Sequence, residues 1–319
     1  MPPSTRRRTA MRVWFALSAL LFFARCADQI RPYVKSIVGA KDQKPAAAAD
    51  APATKLGPLS VRVASWNLEW LDEPGRGPKP RDRRDYQALA QIAKQLDADV
   101  IAVQEVASDL ALALVFPPER YAYHLANRGG SQRSGFVYKR SLNTVSHPDL
   151  DSLAGQHLRA GADLGIKIGE QELRLLSVHL KAFCATGPLD STDKDCQQLK
   201  AQLPALEGWV DSRAREGGAF AVIGDFNRAM SDAGDEVLRD LDDGEPQSLK
   251  LSQATPARRA ACTKESHQAV DHILLGGPAT GWLTPGSFLE LPSAASNASE
   301  HVKLSDHCPL VVELRLPPG

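Results

Sequence analysis

Polar side chains able to bind a metal ion or a phosphate group recur at or beside one end of the predicted strands. They are Asn67 and Glu69, Gln104 and Glu105, His179 and Lys181, Asp225 and Asn227, Asp271, and Asp306 and His307. A single Asn or Asp after a strand is usually a turn residue. Six strand ends with such groups are harder to attribute to turns, and strand ends at one sheet edge converge in space. We therefore expect one site built from distant parts of the chain.

The residue types favour a hard cation at this site. The candidate ligands are oxygens of Glu105, Asn67 and Asp306, and the chain has no Cys-x-x-Cys pair and no His-Glu-x-x-His motif. Such oxygens suit Mg²⁺, with Mn²⁺ as the alternative, better than Zn²⁺. We assign Glu105 as the main ligand, while Asn67 and Asp306 either bind the ion directly or orient its ligands.

The same residues are suited to phosphodiester hydrolysis. That reaction needs an in-line water, a group that orients or deprotonates it, and donors around the phosphoryl oxygens. We assign Asp225 to the water and the amide of Asn227 to a non-bridging oxygen. Lys181 and Arg228 lie beside these candidates in the chain, so both are predicted to bind phosphate.

Two histidines complete the predicted catalytic group. Asp271 is expected to hold His307, because a carboxylate fixes the orientation of an imidazole and raises its pKa. His179 would bind phosphate or donate a proton to the leaving oxygen. The sequence leaves open how general acid and base roles divide among Asp225, His179 and His307. His272 follows Asp271 in a predicted strand, so it should face the opposite side and be structural.

Hydrophobic periodicity places these residues in one α/β domain, assigned to 59–319. Apolar or alternating segments predict strands at 61–66, 100–103, 166–168, 173–178, 220–223, 270–275 and 309–314. Tyr86, Leu89, Ala93 and Leu96 have the spacing of a helix face. The spacing of Leu199, Leu203, Leu206 and Val210 predicts a second helix, which Pro204 should kink or restart.

The N-terminal region differs from the rest of the chain in charge and hydropathy. Basic residues at 6–12 precede an uncharged apolar run at 13–24. This pattern is typical of a secretory signal peptide, assigned to 1–27, and predicts export to the periplasm or the extracellular space. The run is shorter than the ~20 residues that span a bilayer, so we expect no stable membrane span, with a retained signal anchor as the alternative. Residues 28–58, rich in Ala, Lys and Pro, predict a flexible linker.

Net charge argues against binding of nucleic acid through bulk positive charge. The chain has 38 Lys and Arg and 38 Asp and Glu, but five arginines and no acidic residue fall within the first 26 positions. The remainder therefore has 33 basic and 38 acidic residues. An enzyme that binds phosphates locally remains compatible with this balance. The one dense basic cluster beyond the N-terminus, at 76–84, is either a polyanion contact or a solvated loop.

Cysteine positions fit an oxidising compartment. Cys184 and Cys196 bracket a polar loop that a disulfide could close. Cys308 begins an apolar strand and is interpreted as a buried free thiol, with pairing to Cys262 as the less favoured alternative.

The series of motifs resembles the endonuclease/exonuclease/phosphatase superfamily, with its deoxyribonuclease I-like fold. The likeness is carried, in the family's order, by segments 65–69, 103–105, 177–181, 224–227, 271–272 and 305–307. It implies a four-layer α/β/β/α sandwich of two mixed β-sheets and a metal-dependent phosphoric-ester hydrolase. The Cys-bracketed loop is similar to that of exported bacterial members. In deoxyribonuclease-like members a carboxylate supports the first histidine, but 132–137 offers His179 none.

The resemblance and the residues together favour an exported nuclease that acts on DNA or RNA, expected to be a monomer. The first alternative is a phosphatase or phosphodiesterase for a small ester, such as an inositol phosphate or a phospholipid headgroup. The second is a catalytically silent binding module, which is less favoured because loss of activity usually removes one of the polar groups at the strand ends, and all of those are present.

Overall fold

The structure is a computed structural model that describes residues 60–128, 130–155, 158–230, 234–246, 249–262, 268–291 and 304–318. The predicted signal peptide at 1–27 and linker at 28–58 lie outside these residues. The described residues all belong to one compact unit. None of the helices in these ranges is long and apolar enough to cross a membrane.

The first sheet is mixed and has six strands. Its order is β11 (Leu289–Glu290), β12 (Leu310–Arg315), β1 (Ser60–Leu71), β2 (Val100–Val106), β4 (Arg133–Lys139) and β3 (Tyr121–Leu125). β1 and β2 are parallel and the other pairs antiparallel. The β1–β2 register places Asn67 opposite Gln104, so Asn67 and Glu105 emerge at the same sheet edge.

The second sheet repeats this plan with different strands. Its order is β5 (Thr144–Ser146), β6 (Ala162–Ile168), β7 (Gln171–His179), β8 (Ala219–Asp225), β10 (Asp271–Gly276) and β9 (Ser252–Gln253). Only β7 and β8 are parallel. Asp225 pairs with His179 on one side and with Asp271 on the other. Three candidate residues therefore share one row of the sheet.

Apolar side chains from both sheets form the central core, and helices cover the two outer faces. Ala102 and Phe136 of the first sheet are buried in one cluster with Leu164, Leu175 and Ile273 of the second. Strands buried on both faces explain the continuous apolar runs of the sequence. The helices are α1 (Arg83–Leu96) and α2 (Asp109–Ala113) on the first sheet, and α3 (Lys194–Arg215) and α4 (Glu236–Leu241) on the second. The predicted four-layer sandwich is thus confirmed.

Both long helices begin where an aspartate caps the backbone. Asp82 and Asp85 form a capping box at α1, and Asp193 accepts hydrogen bonds from the first turn of α3. Pro204 lies inside α3, which runs on without a restart.

Two disulfides tie loops near the candidate site. The predicted Cys184–Cys196 bond is confirmed, with a Cα–Cα distance of 5.0 Å. The prediction of a free thiol at Cys308 is wrong, because Cys308 is bonded to Cys262 with a Cα–Cα distance of 5.2 Å. This second bond joins the segment before β10 to the residue that follows His307.

Candidate active site

A pocket of about 680 Å³ opens at the edge where β1, β2, β7 and β8 end. Seven of the predicted site residues line it: Glu105, His179, Lys181, Asp225, Asn227, Asp306 and His307. The antiparallel strand β10 begins at the same edge, with Asp271 opposite Asp225. The expected convergence of distant strand ends is therefore present.

Asp225 lies at the centre of the polar groups. Its Oδ2 accepts a hydrogen bond of 3.0 Å from Asn67 Nδ2, and its Oδ1 accepts one of 2.8 Å from the Asn227 backbone N–H. Burial, assisted by the nearby charge of Asp271, raises the pKa of Asp225 to about 7, although His307 and both hydrogen bonds oppose the shift. A carboxyl group with such a pKa is suited to accept a proton near neutral pH.

Asp271 holds His307 as the sequence predicted. His307 Nδ1 and Asp271 Oδ2 are 2.7 Å apart, and His307 Nε2 lies 3.7 Å from Asp225 Oδ2. Burial alone would lower the pKa of His307, but the charges of Asp271 and Asp225 outweigh it and raise that pKa to about 10. Ser305 Oγ accepts from the His307 backbone N–H and donates to the Asn67 carbonyl, which fixes this loop against β1. The imidazolium ring is therefore held beside Asp225.

Glu105 presents its carboxylate at the end of β2. Trp70 N–H donates to Glu105 Oε2 at 3.1 Å, and Asn67 Nδ2 donates to Glu105 Oε1 at 3.3 Å. Asn67 Oδ1 accepts from the Glu69 N–H at 2.9 Å, so the amide group directed at the carboxylates is the donor. Of the two roles left open for Asn67, this arrangement favours orienting the ligands over binding the ion.

The donor set fits a hard divalent cation. Carboxylates of Glu69, Glu105, Asp225 and Asp306 line one pocket, and oxygen ligands are those that Mg²⁺ and Mn²⁺ prefer. Ligand atoms of Asp225, Asp271 and His307 also lie within 4.8 Å of one another. Because the His307 ring already bonds Asp271, we interpret this second group as a hydrogen-bonded set rather than a metal site.

His179 is a buried imidazole between two carboxylates. Its Nε2 lies 3.6 Å from Asp225 Oδ2 and 3.8 Å from Glu105 Oε1. Burial, with the charges of Arg159 and His307, holds the pKa of His179 well below its ordinary value. Its buried Nδ1 has no hydrogen-bond partner among the described residues. A neutral ring whose Nδ1 has no carboxylate to support it is better suited to binding phosphate than to supplying a proton.

Of the two predicted phosphate contacts, the structure brings only one to the pocket. Lys181 lines the pocket, and its Nζ is 2.6 Å from Asp195 Oδ1. The prediction for Arg228 is wrong, because its side chain is buried away from the pocket. Arg228 Nε donates to Asp235 Oδ2 at 2.7 Å, and its Nη1 donates to the Cys184 carbonyl at 3.2 Å. Arg228 thus fixes the loop after β8 and does not line the pocket.

Arg159 lines the pocket, and the sequence did not single it out. Its Nη2 donates to the Leu180 carbonyl at 3.0 Å, and its charge acts on Asp225 and Glu105. Burial lowers the pKa of Arg159, which nevertheless remains a permanent cation. No motif surrounds this arginine, so only its place in the fold identifies it.

Backbone strain is concentrated around the pocket. Six non-glycine residues of the described chain have positive φ, and five of them line the pocket: Glu69, Trp70, Glu105, Phe183 and Asn227. This conformation costs a non-glycine residue about 1–2 kcal/mol, and such strain is often found at functional sites. Arg81, from the basic cluster at 76–84, donates to the carbonyls of Leu68, Glu69 and Trp70 and so holds the strained end of β1.

Comparison with known proteins gives the same fold. A family model described as the Endonuclease/Exonuclease/phosphatase family matches residues 64–307. A search of curated proteins found no match. The structure of truncated Caenorhabditis elegans TDP2 is 19% identical with a TM-score of 0.56, covering 80% of this chain and 98% of that chain.

Two further solved structures have the same fold at similar identity. D. rerio TDP2, solved in complex with a single-stranded DNA product, is 17% identical with a TM-score of 0.55, covering 80% of this chain and 98% of that chain. An endonuclease/exonuclease/phosphatase family protein from Bacteroides thetaiotaomicron is 17% identical with a TM-score of 0.52, covering 82% of this chain and all of that chain.

Proposed function

Because the chain belongs to the endonuclease/exonuclease/phosphatase family, we propose that it is a divalent-metal-dependent phosphodiester hydrolase whose substrate is nucleic acid. The observation that carries the proposal is the grouping of Glu105, Asp225 and His307 around one open pocket. A catalytically silent module is disfavoured, because a silent site would have no use for this grouping.

Asp225 is the proposed base of the reaction. It takes a proton from water as the water oxygen forms a bond to phosphorus and the bond from phosphorus to the leaving oxygen breaks. Its pKa of about 7 matches this task near neutral pH. His307 Nε2 lies 3.7 Å from Asp225 Oδ2, so both groups face the same end of an in-line phosphate. We therefore assign the His307 cation to the phosphoryl oxygens, and the leaving oxygen takes its proton from solvent.

Other residues hold the phosphate during this reaction. Arg159 and Lys181 contribute positive charge, and His179 contributes a neutral imidazole N–H. Asn227 Nδ2 donates one N–H to the Leu180 carbonyl at 3.0 Å and keeps a second N–H for a non-bridging oxygen. Glu105, with Asp306, is the proposed holder of Mg²⁺ or Mn²⁺. When bound, such an ion supplies charge that stabilises the phosphoryl and leaving oxygens.

Nucleic acid is favoured over a small ester as the substrate. The open pocket has cations beside its carboxylates, which suits a phosphate within a longer chain. The fold shared with a TDP2 that was solved with a single-stranded DNA product supports the same choice. Two disulfides support the proposed export, because such bonds persist in oxidising compartments.

The test is hydrolysis of single-stranded DNA, duplex DNA, RNA and a panel of phosphomonoesters, each with Mg²⁺, with Mn²⁺ and with a chelator. We expect metal-dependent cleavage of nucleic acid, reduced at least ~100-fold by Asp225→Asn and by His307→Ala. Leu110→Ala, an exposed position outside the pocket, is the control and should cleave normally. Hydrolysis of monoesters alone would replace the nuclease proposal by the phosphatase alternative. Full activity of both site variants would refute the assigned roles.

A further inference from the structure

We propose that Phe183 is a stacking platform for an unpaired nucleobase beside the scissile phosphate, an inference that rests on the proposed nuclease function. Three large hydrophobic side chains are exposed among the described residues, and Phe183, at 83%, exceeds Leu110 at 39% and Leu289 at 43%. Phe183 alone of the three lines the pocket. The most exposed aromatic ring of the described chain therefore lies at the edge of the candidate active site.

The chain holds the backbone around Phe183 in place from both ends. The Leu180 N–H donates to the Asp225 carbonyl at 2.9 Å, and the Lys181 N–H donates to Gln202 Oε1 at 2.8 Å. After Phe183, Cys184 is buried and bonded to Cys196 in α3. The hydrogen bond from the Leu180 N–H to the Asp225 carbonyl also connects the backbone before Phe183 to the proposed base. These contacts fix the backbone position of Phe183 at the edge of the pocket.

The conformation of Phe183 is unfavourable for folding. Its φ of 71° lies in the left-handed region, which glycine adopts freely and other residues avoid. The side chain also remains in water instead of joining the core. A strained and exposed aromatic residue beside the proposed catalytic groups indicates a functional role, because such strain is concentrated at functional sites.

The surroundings of the ring match a base attached to a phosphate. Lys181 Nζ, which is paired with Asp195, lies 5.2 Å from the ring centroid, so a cation accompanies the aromatic surface. Every nucleobase has a flat face that stacks on an aromatic ring without sequence preference. Bases in a duplex already stack on their neighbours, so one protruding ring favours a base that is unpaired. The substrate class is thus single-stranded nucleic acid or a frayed end.

A comparison of two substrates with two variants tests this inference. The substrates are a single-stranded DNA oligonucleotide and the same strand with abasic sites on both sides of the scissile phosphate. Loss of the stacking of one base on the ring corresponds to about a tenfold fall in kcat/KM. We expect Phe183→Ala to lower kcat/KM about tenfold on the intact strand and not on the abasic strand, whereas Phe183→Trp should retain wild-type values. An equal loss on both strands, or no loss on either, would overturn the proposal.

Binding and stability measurements separate substrate positioning from a structural role. In chelator, a single-stranded 2-aminopurine probe should show fluorescence quenching with the wild type, Phe183→Trp and the Leu110→Ala control, and much less with Phe183→Ala. Phe183→Gly should raise or preserve the unfolding temperature, because glycine adopts this φ without strain. It should lose as much kcat/KM on the intact strand as Phe183→Ala does. A fall in unfolding temperature would instead assign Phe183 to the fold. If the wild type cleaves no nucleic acid, the proposed function fails as well. If it cleaves and Phe183→Ala matches it, only this inference fails.

Discussion

Acidification is expected to destabilise the protein through His272, the buried histidine next to Asp271. His272 faces away from the pocket, as its place in β10 predicted, and both ring nitrogens are engaged. Nε2 is 2.9 Å from the Arg228 carbonyl, and Nδ1 is 3.1 Å from Gln253 Nε2, which also donates to the Met230 carbonyl. Nε2 therefore donates to the Arg228 carbonyl and Nδ1 accepts from Gln253, an arrangement that the neutral ring satisfies. A proton on Nδ1 would oppose the Gln253 amide N–H.

The size and sign of the effect follow from the pKa of His272. Burial lowers that pKa from 6.5 to about 4, although the bond to the Arg228 carbonyl and the charge of Asp271 oppose the shift. The unfolded chain therefore binds the proton more tightly than the folded chain does between these values. Stability is lost as the pH falls through this range, by about 3 kcal/mol in total, most of it before about pH 4.5.

Urea unfolding of the wild type and of His272→Gln, from about pH 7.5 to about pH 4.5, measures this contribution. Glutamine cannot titrate here but can still donate to the Arg228 carbonyl. At neutral pH we expect the variant to be about 1 kcal/mol less stable, through loss of the Gln253 bond. On acidification it should lose about 2–3 kcal/mol less than the wild type. Parallel loss of stability in the two proteins would refute this account of His272.

Two further predictions concern the pocket. Arg159→Met should lower the single-turnover cleavage rate about 100- to 1,000-fold, because it removes a cation that binds the phosphate. The unfolding temperature, measured by calorimetry, should stay the same or rise, because a buried charge is removed. A wild-type cleavage rate would contradict this role of Arg159. Asp271→Asn should lower the same rate at least ~100-fold, because His307 loses the carboxylate that orients it and raises its pKa; unchanged cleavage with a normal circular dichroism spectrum would exclude that dependence.

Much of the fold and the centre of the candidate site could be predicted from the sequence. The strands predicted at 166–168 and 173–178 are β6 (Ala162–Ile168) and β7 (Gln171–His179), and the first predicted helix is α1. The apolar patterns of these elements predict that they pack against the core, independently of the elements beside them. Five strands escaped prediction, namely β3, β4, β5, β9 and β11. The last three have only two or three residues at a sheet edge, which carry no periodic pattern.

The remaining site features depend on tertiary structure. Arg228 follows Asn227, whose φ of 51° turns the chain so that the arginine enters the interior beside Asp235. Sequence adjacency to a phosphate-binding candidate therefore misled the prediction. Arg159 has no motif around it, and Cys262 meets Cys308 only after the two loops have folded. In each case the decisive contact joins residues whose separation in sequence carries no signal.

The candidate site is divided between the two sheets. Asn67 and Glu105 come from the first sheet, whereas His179, Asp225 and Asp271 come from the second. Apolar side chains packed between the two sheets, such as Ala102 and Ile273, thus determine the distance between the site residues of the first sheet and those of the second. Substitutions that add or remove a methyl group between the sheets should therefore change the turnover rate without any substitution in the pocket. The proposed catalysis depends on the alignment of two β-sheets that are hydrogen-bonded separately.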